Sequence, residues 1–205
     1  MKFFSYDGLL AQIIRYIAGM FVLNLCFLLC CLPVFTIGSS VTAMYSVFLN
    51  TADQSPMYRR FFRAFRDNFR QATAMWLILL GIGVLMGLDW YFLLSYSFVG
   101  SSMMQVAAVV LSVAYLALVG YVFALQARFE NTMGATLKNA LILTFGSPIV
   151  SLLLVLVTAF PVLIFFVDLQ VFLHVVAIWI PLGFALQLQI HALLLHRLFR
   201  KLQPD

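Results

Sequence analysis

Apolar stretches close to the length of a bilayer crossing recur along this chain, and they constrain its fold more than any other feature. A helix needs roughly 20 apolar residues to cross a hydrocarbon core about 30 Å thick. We predict six crossings, at about 14–32, 38–49, 72–94, 103–126, 137–167 and 171–195. The second is short and rich in small polar residues. It either begins nearer Thr36 or is a partial span that packs against the neighbouring helices.

The low charge content supports a membrane location. Only 9% of the residues are charged and 64% are hydrophobic, whereas a soluble domain carries roughly 25% charged residues. Backbone groups inside lipid must be paired within the segment, which favours helices. We therefore predict an all-α, polytopic membrane helical bundle. It has about six transmembrane helices in a single integral-membrane domain over 1–205, with a cytoplasmic interfacial amphipathic helix at about 56–70.

Positive charges predict the orientation of the bundle. With the N-terminus inside, the six crossings leave 1–13, 50–71, 127–136 and 196–205 on the cytoplasmic side. All twelve Lys and Arg residues then lie in these segments or at the cytoplasmic ends of spans. Basic residues prefer cytoplasmic loops. We predict a multi-pass protein of the cell membrane with both termini in the cytoplasm.

The stretch "SPMYRRFFRAFRDNFRQA" (55–72) holds five arginines. At 100° per residue, four of them share one helix face, a fifth flanks it, and aromatic residues cover another face. The arginines are Arg59, Arg60, Arg63, Arg66 and Arg70, and the aromatics are Tyr58, Phe61, Phe62, Phe65 and Phe69. This pattern is typical of a helix lying in the membrane interface, aromatic side down.

Two uses of this basic face remain open. Anionic lipids would contribute about 1 kcal/mol for each basic residue near the surface, so the face can serve as an anchor and orientation signal alone. It can also dock a cytoplasmic partner. A nucleic-acid partner is not expected, because binding by base stacking needs aromatic side chains on the charged side.

Four polar residues are candidate intramembrane groups. Asp89 lies about 17 residues into the third span, near the outer interface, beside Trp90. Gln126, Gln187 and His191 fall near the inner ends of spans and can form a polar cluster inside the bundle. Buried polar groups in membrane spans are often functional, and hydrogen bonding between helices is the alternative.

Three glycines are candidates for close helix packing. Gly83 and Gly87 form a G-x-x-x-G pattern in the third span, which brings helices together within one chain or between two. Gly38 follows the helix break at Pro33. Packing is one interpretation of that break, and a ligand-contacting broken helix is the other.

The motifs of common enzyme classes are absent from the sequence. It contains no P-loop, no G-x-S-x-G nucleophile elbow and no H-E-x-x-H. Cys26, Cys30 and Cys31 lie in one apolar run without the spacing of a zinc site. We therefore expect no catalytic residues, no metal and no cofactor, and we do not expect an enzyme.

Two stretches, "CLPVFTIGSSVTAMYSV" (31–47) and "RFFRAFRDNFRQATAMWLILL" (60–80), resemble the YesL-like family of bacterial integral membrane proteins. A third, "RFENT…LKNALIL" (128–143), is similar to a later polar stretch of that family. The family has no assigned biochemical function. Its members are commonly encoded beside carbohydrate ABC importers of Gram-positive bacteria, which implies an accessory part in sugar uptake with importer subunits as partners. A small stand-alone transporter or channel is the alternative.

Overall fold

The computed structural model describes residues 9–96 and 100–202, which form helices and their connections with no strand among them. The α-helices are α1 (Leu9–Cys31), α2 (Ile37–Leu49), α3 (Met57–Ser95), α4 (Ser101–Arg128), α5 (Met133–Gly146), α6 (Pro148–Val167), α7 (Leu169–Ile178) and α8 (Phe184–Leu202). A 3₁₀ turn (Val34–Thr36) precedes α2, and a π-helical turn (Trp179–Gly183) joins α7 to α8. The predicted all-helical fold is confirmed.

Four helical segments of the described chain are long and apolar enough to cross a membrane. They are Leu10–Cys31, Met57–Ser95, Ser101–Arg128 and Trp179–Arg200. Together α5 and α6 make a fifth candidate, although they are bent by 100° at their junction. The predicted second crossing corresponds to α2, which has 13 residues. At 1.5 Å per residue it rises only about 20 Å, so it is shorter than the other candidates.

The short helix α2 lies at the centre of the bundle. Nine of its residues are buried, among them Tyr45, and it packs against α3, α4 and α8. Its small polar residues are accommodated because their hydroxyls find backbone partners. Ser39 donates to the carbonyl of Phe69 at 3.2 Å, and Thr42 donates to the carbonyl of Gly38 at 2.9 Å. Satisfied in this way, Ser and Thr carry little burial cost.

The helix α3 differs from the prediction. A separate interfacial helix and a third span were expected, but one helix of 39 residues runs through both. Between Met57 and Leu80 the sequence has neither Gly nor Pro, so nothing interrupts the backbone hydrogen bonds. The arginine-bearing segment is therefore the first third of a helix about 58 Å long.

The prolines explain the other helix breaks. Pro148 begins α6 directly after the bend, whereas α6 continues through Pro161. Pro181 lies in the π-helical turn. There Asn24, which is fully buried in α1, donates to the carbonyl of Ile180 at 2.6 Å and accepts from the backbone N–H of Ala185 at 2.9 Å. The side chain of Asn24 thus satisfies two backbone groups of the π-helical turn from a neighbouring helix.

Candidate functional site

Polar side chains from α2, α3 and α4 and their connections meet at one end of the bundle and surround a cavity of about 840 Å³. We call this region the polar junction. Its charged and amide side chains are Asn50, Asp53, Arg60, Arg63, Asp67, Asn68, Gln71, Gln126, Arg128, Glu130 and Asn131. Phe129 in the same connection contacts Phe199 of α8, with ring centroids 5.5 Å apart. Segments that carry most of the basic residues of the chain therefore lie together.

Two arginines cap the C-terminal end of α2. Arg60 donates through Nη2 to the carbonyls of Val47 and Asn50. Arg128 donates through Nη1 to the carbonyl of Leu49 at 3.4 Å and to Oδ1 of Asn50 at 3.1 Å. The last carbonyls of a helix lack partners within it and carry partial negative charge. The two guanidinium groups donate hydrogen bonds to these carbonyls and offset their negative charge. They also connect α2 to α3 and α4.

An ion pair closes the outer side of the polar junction. Nη1 of Arg63 lies 2.9 Å from Oδ2 of Asp53, and the backbone N–H of Ser55 donates to Oδ1 of Asp53 at 2.8 Å. This N–H, and less strongly Arg63, lowers the pKa of the Asp53 carboxyl. The pair is solvent-exposed, so it contributes little to folding stability.

An amide network forms the inner wall of the cavity. Nε2 of Gln126 donates to Oδ1 of Asn68 at 3.1 Å, and Nε2 of Gln71 donates to the carbonyl of Asn131 at 2.9 Å. Gln126 is only 8% exposed, and its buried Oε1 has no hydrogen-bond partner in the described part of the chain. A buried amide oxygen without a donor is unfavourable, so this atom needs a donor from outside the described residues.

The five predicted arginines separate into two groups. Arg60 and Arg63 line the cavity and contact the protein as described above. Arg59, Arg66 and Arg70 are exposed. The Arg59 guanidinium lies 5.9 Å from the Tyr58 ring centroid, and Nε of Arg66 lies 3.9 Å from Asp67. Three arginines of the basic segment predicted from sequence thus remain exposed outside the cavity, and Arg59 and Arg66 contact neighbouring side chains of α3.

The aromatic face of this segment was expected to lie toward lipid, but part of it packs inside the protein. Phe61 is completely buried, and Phe65 packs against the same core, whereas Phe62 is 48% exposed. The expectation was wrong for Phe61 because the start of α3 packs beside α2, and an aromatic stripe on a helix fits a protein core as well as a membrane interface.

The predicted cluster of Gln126, Gln187 and His191 is divided in the structure. His191 is buried in α8, with Nδ1 3.0 Å from Oη of Tyr45 and Nε2 3.5 Å from Oγ1 of Thr158. It therefore joins α2, α6 and α8 inside the bundle. Gln126 bonds to Asn68 instead, and Gln187 is half-buried one turn before His191.

Asp89 is exposed on α3 and borders a shallow pocket of about 240 Å³. The neighbouring Trp90 turns toward α4, where its Nε1 donates to Oγ of Ser112 at 3.0 Å. This small apolar pocket lies far along α3 from the polar junction, and no described hydrogen bond links the two.

The three glycines differ in their surroundings. A Cβ on Gly38 would lie 2.5 Å from Cβ of Trp76 and 2.6 Å from the carbonyl oxygen of Ala72, so α2 and α3 approach closely there. A Cβ on Gly83 would lie 2.8 Å from Oη of Tyr115 in α4, but on Gly87 it would meet nothing within 4 Å among the described residues. Of the two glycines in the G-x-x-x-G pattern, Gly83 alone thus has a close neighbour among the residues that the structure describes.

The sequence analysis did not single out several side chains that form hydrogen bonds between helices. Asn24, Tyr45, Asn50 and Asn68 each bond across helices. The one available signal was an isolated asparagine in an apolar run, as at Asn24, since a lone amide in a span needs a partner on another helix.

Comparison with known proteins identifies part of the chain. No curated protein and no solved structure matches it. Residues 20–90, from α1 into the second half of α3, match a family model described as "Protein of unknown function, DUF624". YesL-like proteins carry this region. The resemblance to the YesL-like family is therefore confirmed over residues 20–90, which match the DUF624 model.

Proposed function

We propose that this protein is a non-enzymatic accessory protein of the cell membrane that assembles with a carbohydrate ABC importer. The observation that carries the proposal is the construction of α3. Its later part is apolar enough to cross a membrane, and its first third extends the same helix and exposes Arg59, Arg66 and Arg70. A rigid, basic projection of this kind suits a protein contact. The identity of the partner rests on the family resemblance.

We infer that the chain crosses the membrane six times with both termini in the cytoplasm. The short α2 can be one of these crossings because protein, rather than lipid, surrounds most of it, so it does not need the full hydrocarbon thickness. An even number of crossings before α3 puts the arginine segment in the cytoplasm, as the positive-inside rule favours. There the exposed arginines also meet anionic lipid headgroups.

Co-purification in mild detergent, followed by mass spectrometry, tests the assembly. We expect importer subunits to accompany the wild-type protein and to be lost from an R59Q/R66Q/R70Q variant. R197Q/R200Q is the matched control, because both arginines are exposed on α8 near the other basic segment. Absence of importer subunits from the wild-type sample contradicts the assembly. Equal retention by both variants contradicts the arginine contact.

A second candidate function is a small transporter or channel, and the broken helices favour it. The α5–α6 bend of 100° and the π-helical turn before α8 resemble the discontinuous helices of transporters. The buried His191 of α8 bonds to Thr158 of α6 and so links the two elements that follow these breaks. Solute flux into liposomes that contain this protein alone, and its loss in H191N, would support transport. Absence of flux for sugars and ions contradicts it.

A further inference from the structure

We propose that the cavity of the polar junction binds the phosphate and primary ammonium of a zwitterionic phospholipid headgroup of the phosphatidylethanolamine type. This site is separate from the importer contact proposed above, which uses the exposed arginines.

The cavity lies where two candidate spans leave their apolar stretches. The apolar part of α3 begins just after Gln71, and that of α4 ends at Gln126. Both glutamines line the cavity. A helix that crosses a membrane passes from hydrocarbon to headgroups at such a boundary. The cavity therefore opens at headgroup depth, and its volume of about 840 Å³ falls in the range of small-molecule sites.

The charges that line the cavity are balanced. Three arginines face three carboxylates, namely Arg60, Arg63 and Arg128 against Asp53, Asp67 and Glu130. A purely anionic ligand would meet the carboxylates and a purely cationic one the guanidinium groups, and like charges repel at close range. A dipolar ligand can pair with both sets, which favours a phosphate beside an ammonium over an anionic headgroup.

Each half of such a headgroup has partners in the cavity. The described bonds use Nη2 of Arg60 and Nη1 of Arg128, and a guanidinium has five N–H donors, so others remain for phosphate oxygens. For the ammonium, Glu130 supplies a carboxylate that forms no ion pair within the described residues. Gln126 lines the inner wall of the cavity, and its Oε1, which has no donor among the described residues, is a second acceptor for the ammonium N–H groups.

The headgroup chemistry offers matched probes. Phosphatidylcholine carries the same phosphate but a quaternary ammonium without N–H donors, and phosphatidylglycerol carries the phosphate without any cation. Native mass spectrometry of the protein with each lipid, at equal acyl chains and concentrations, measures retention. We expect phosphatidylethanolamine to be retained about tenfold more than either, as for one or two charge-assisted hydrogen bonds.

Three substitutions test the residues. E130Q and Q126L should each reduce the preference for phosphatidylethanolamine over phosphatidylcholine, and R128Q should reduce retention of all three lipids. D89N is the control, since Asp89 lies far along α3, and it should behave as wild type. Each variant is compared only where it elutes as a monodisperse peak and remains folded at the temperature of the measurement. E130Q alters a surface carboxylate that forms no described ion pair, so it tests the proposal even if Q126L or R128Q fails to fold.

Soluble glycerophosphoethanolamine separates headgroup from lipid. If it displaces the lipid at millimolar concentration, the headgroup alone is recognised; if only the intact lipid binds, the acyl chains contribute, and both results support the site. Equal retention of the three lipids overturns the proposal. So does a preference for phosphatidylglycerol, or a preference for phosphatidylethanolamine that both E130Q and Q126L preserve.

Discussion

At the scale of single residues, arginines of similar appearance in the sequence have different roles. Arg60 and Arg66 both lie on the basic stretch of α3, yet Arg60 is half-buried and bonds to two carbonyls at the end of α2, whereas Arg66 is exposed. The difference depends on where α2 ends, and no local pattern of the sequence contains that information.

The first prediction compares these two arginines. R60Q should lower the free energy of unfolding by about 1–3 kcal/mol, because it leaves the carbonyls of Val47 and Asn50 without a charged donor. R66Q should change it by less than about 0.5 kcal/mol, as for other exposed positions. Thermal unfolding in mild detergent measures both, and an equal effect of the two substitutions would contradict the capping role.

A second residue-scale prediction uses the glycines. G38A should destabilise by about 1–3 kcal/mol, since the new methyl group would overlap Trp76 and the backbone of Ala72. G87A should stabilise by up to about 1 kcal/mol, because alanine favours a helix over glycine and nothing lies within 4 Å. The same unfolding assay applies. A G38A variant as stable as wild type would mean that α2 and α3 do not approach so closely.

At the scale of helices, apolar length and proline positions predict a good part of the structure. The predicted bounds 38–49 and 103–126 fall within a few residues of α2 and α4, and Pro148 marks a real break. The joining of the arginine segment to the third span was missed, although the absence of Gly and Pro over 57–80 was visible. The partner of Asn24 was not predictable, since it lies 156 residues away in sequence.

The π-helical turn gives the first prediction at this scale. N24L should leave the Ile180 carbonyl and the Ala185 N–H without partners, which speeds hydrogen exchange at the turn and lowers the thermal midpoint. Adding P181A should recover part of the loss, because a regular helix can then pair these groups internally. Unchanged exchange at 180–185 in N24L would show that Asn24 does not hold the turn.

The continuity of α3 gives a second prediction. Spin labels at positions 62 and 85, both exposed, should lie about 35 Å apart along a continuous helix. If the segment before Gln71 instead lay flat in the membrane interface, perpendicular to the span, the distance would be about 25 Å. Pulsed electron resonance on the protein in lipid nanodiscs, with the three native cysteines replaced, distinguishes the two.

At the scale of the whole molecule, the distribution of polar groups separates the two ends of the bundle. The capped end of α2, the basic start of α3, the α4–α5 connection and the end of α8 meet at the polar junction. The connection from α6 to α7 carries Asp168, which caps α7 by accepting from the backbone N–H of Gln170. Basic residues gathered at one end are what the positive-inside rule expects of a cytoplasmic face.

This asymmetry gives the last prediction, which concerns orientation. In a variant without native cysteines, a single cysteine at Glu130, in the polar junction, should react in intact cells only with a membrane-permeant maleimide. A cysteine at Gln170, which is exposed in the α6–α7 region, should also react with an impermeant one. The positions lie on opposite sides only if the number of crossings between them is odd, which requires the bent pair α5–α6 to cross once. Equal labelling of both by the impermeant reagent would contradict that crossing, and with it the cytoplasmic placement of the arginines.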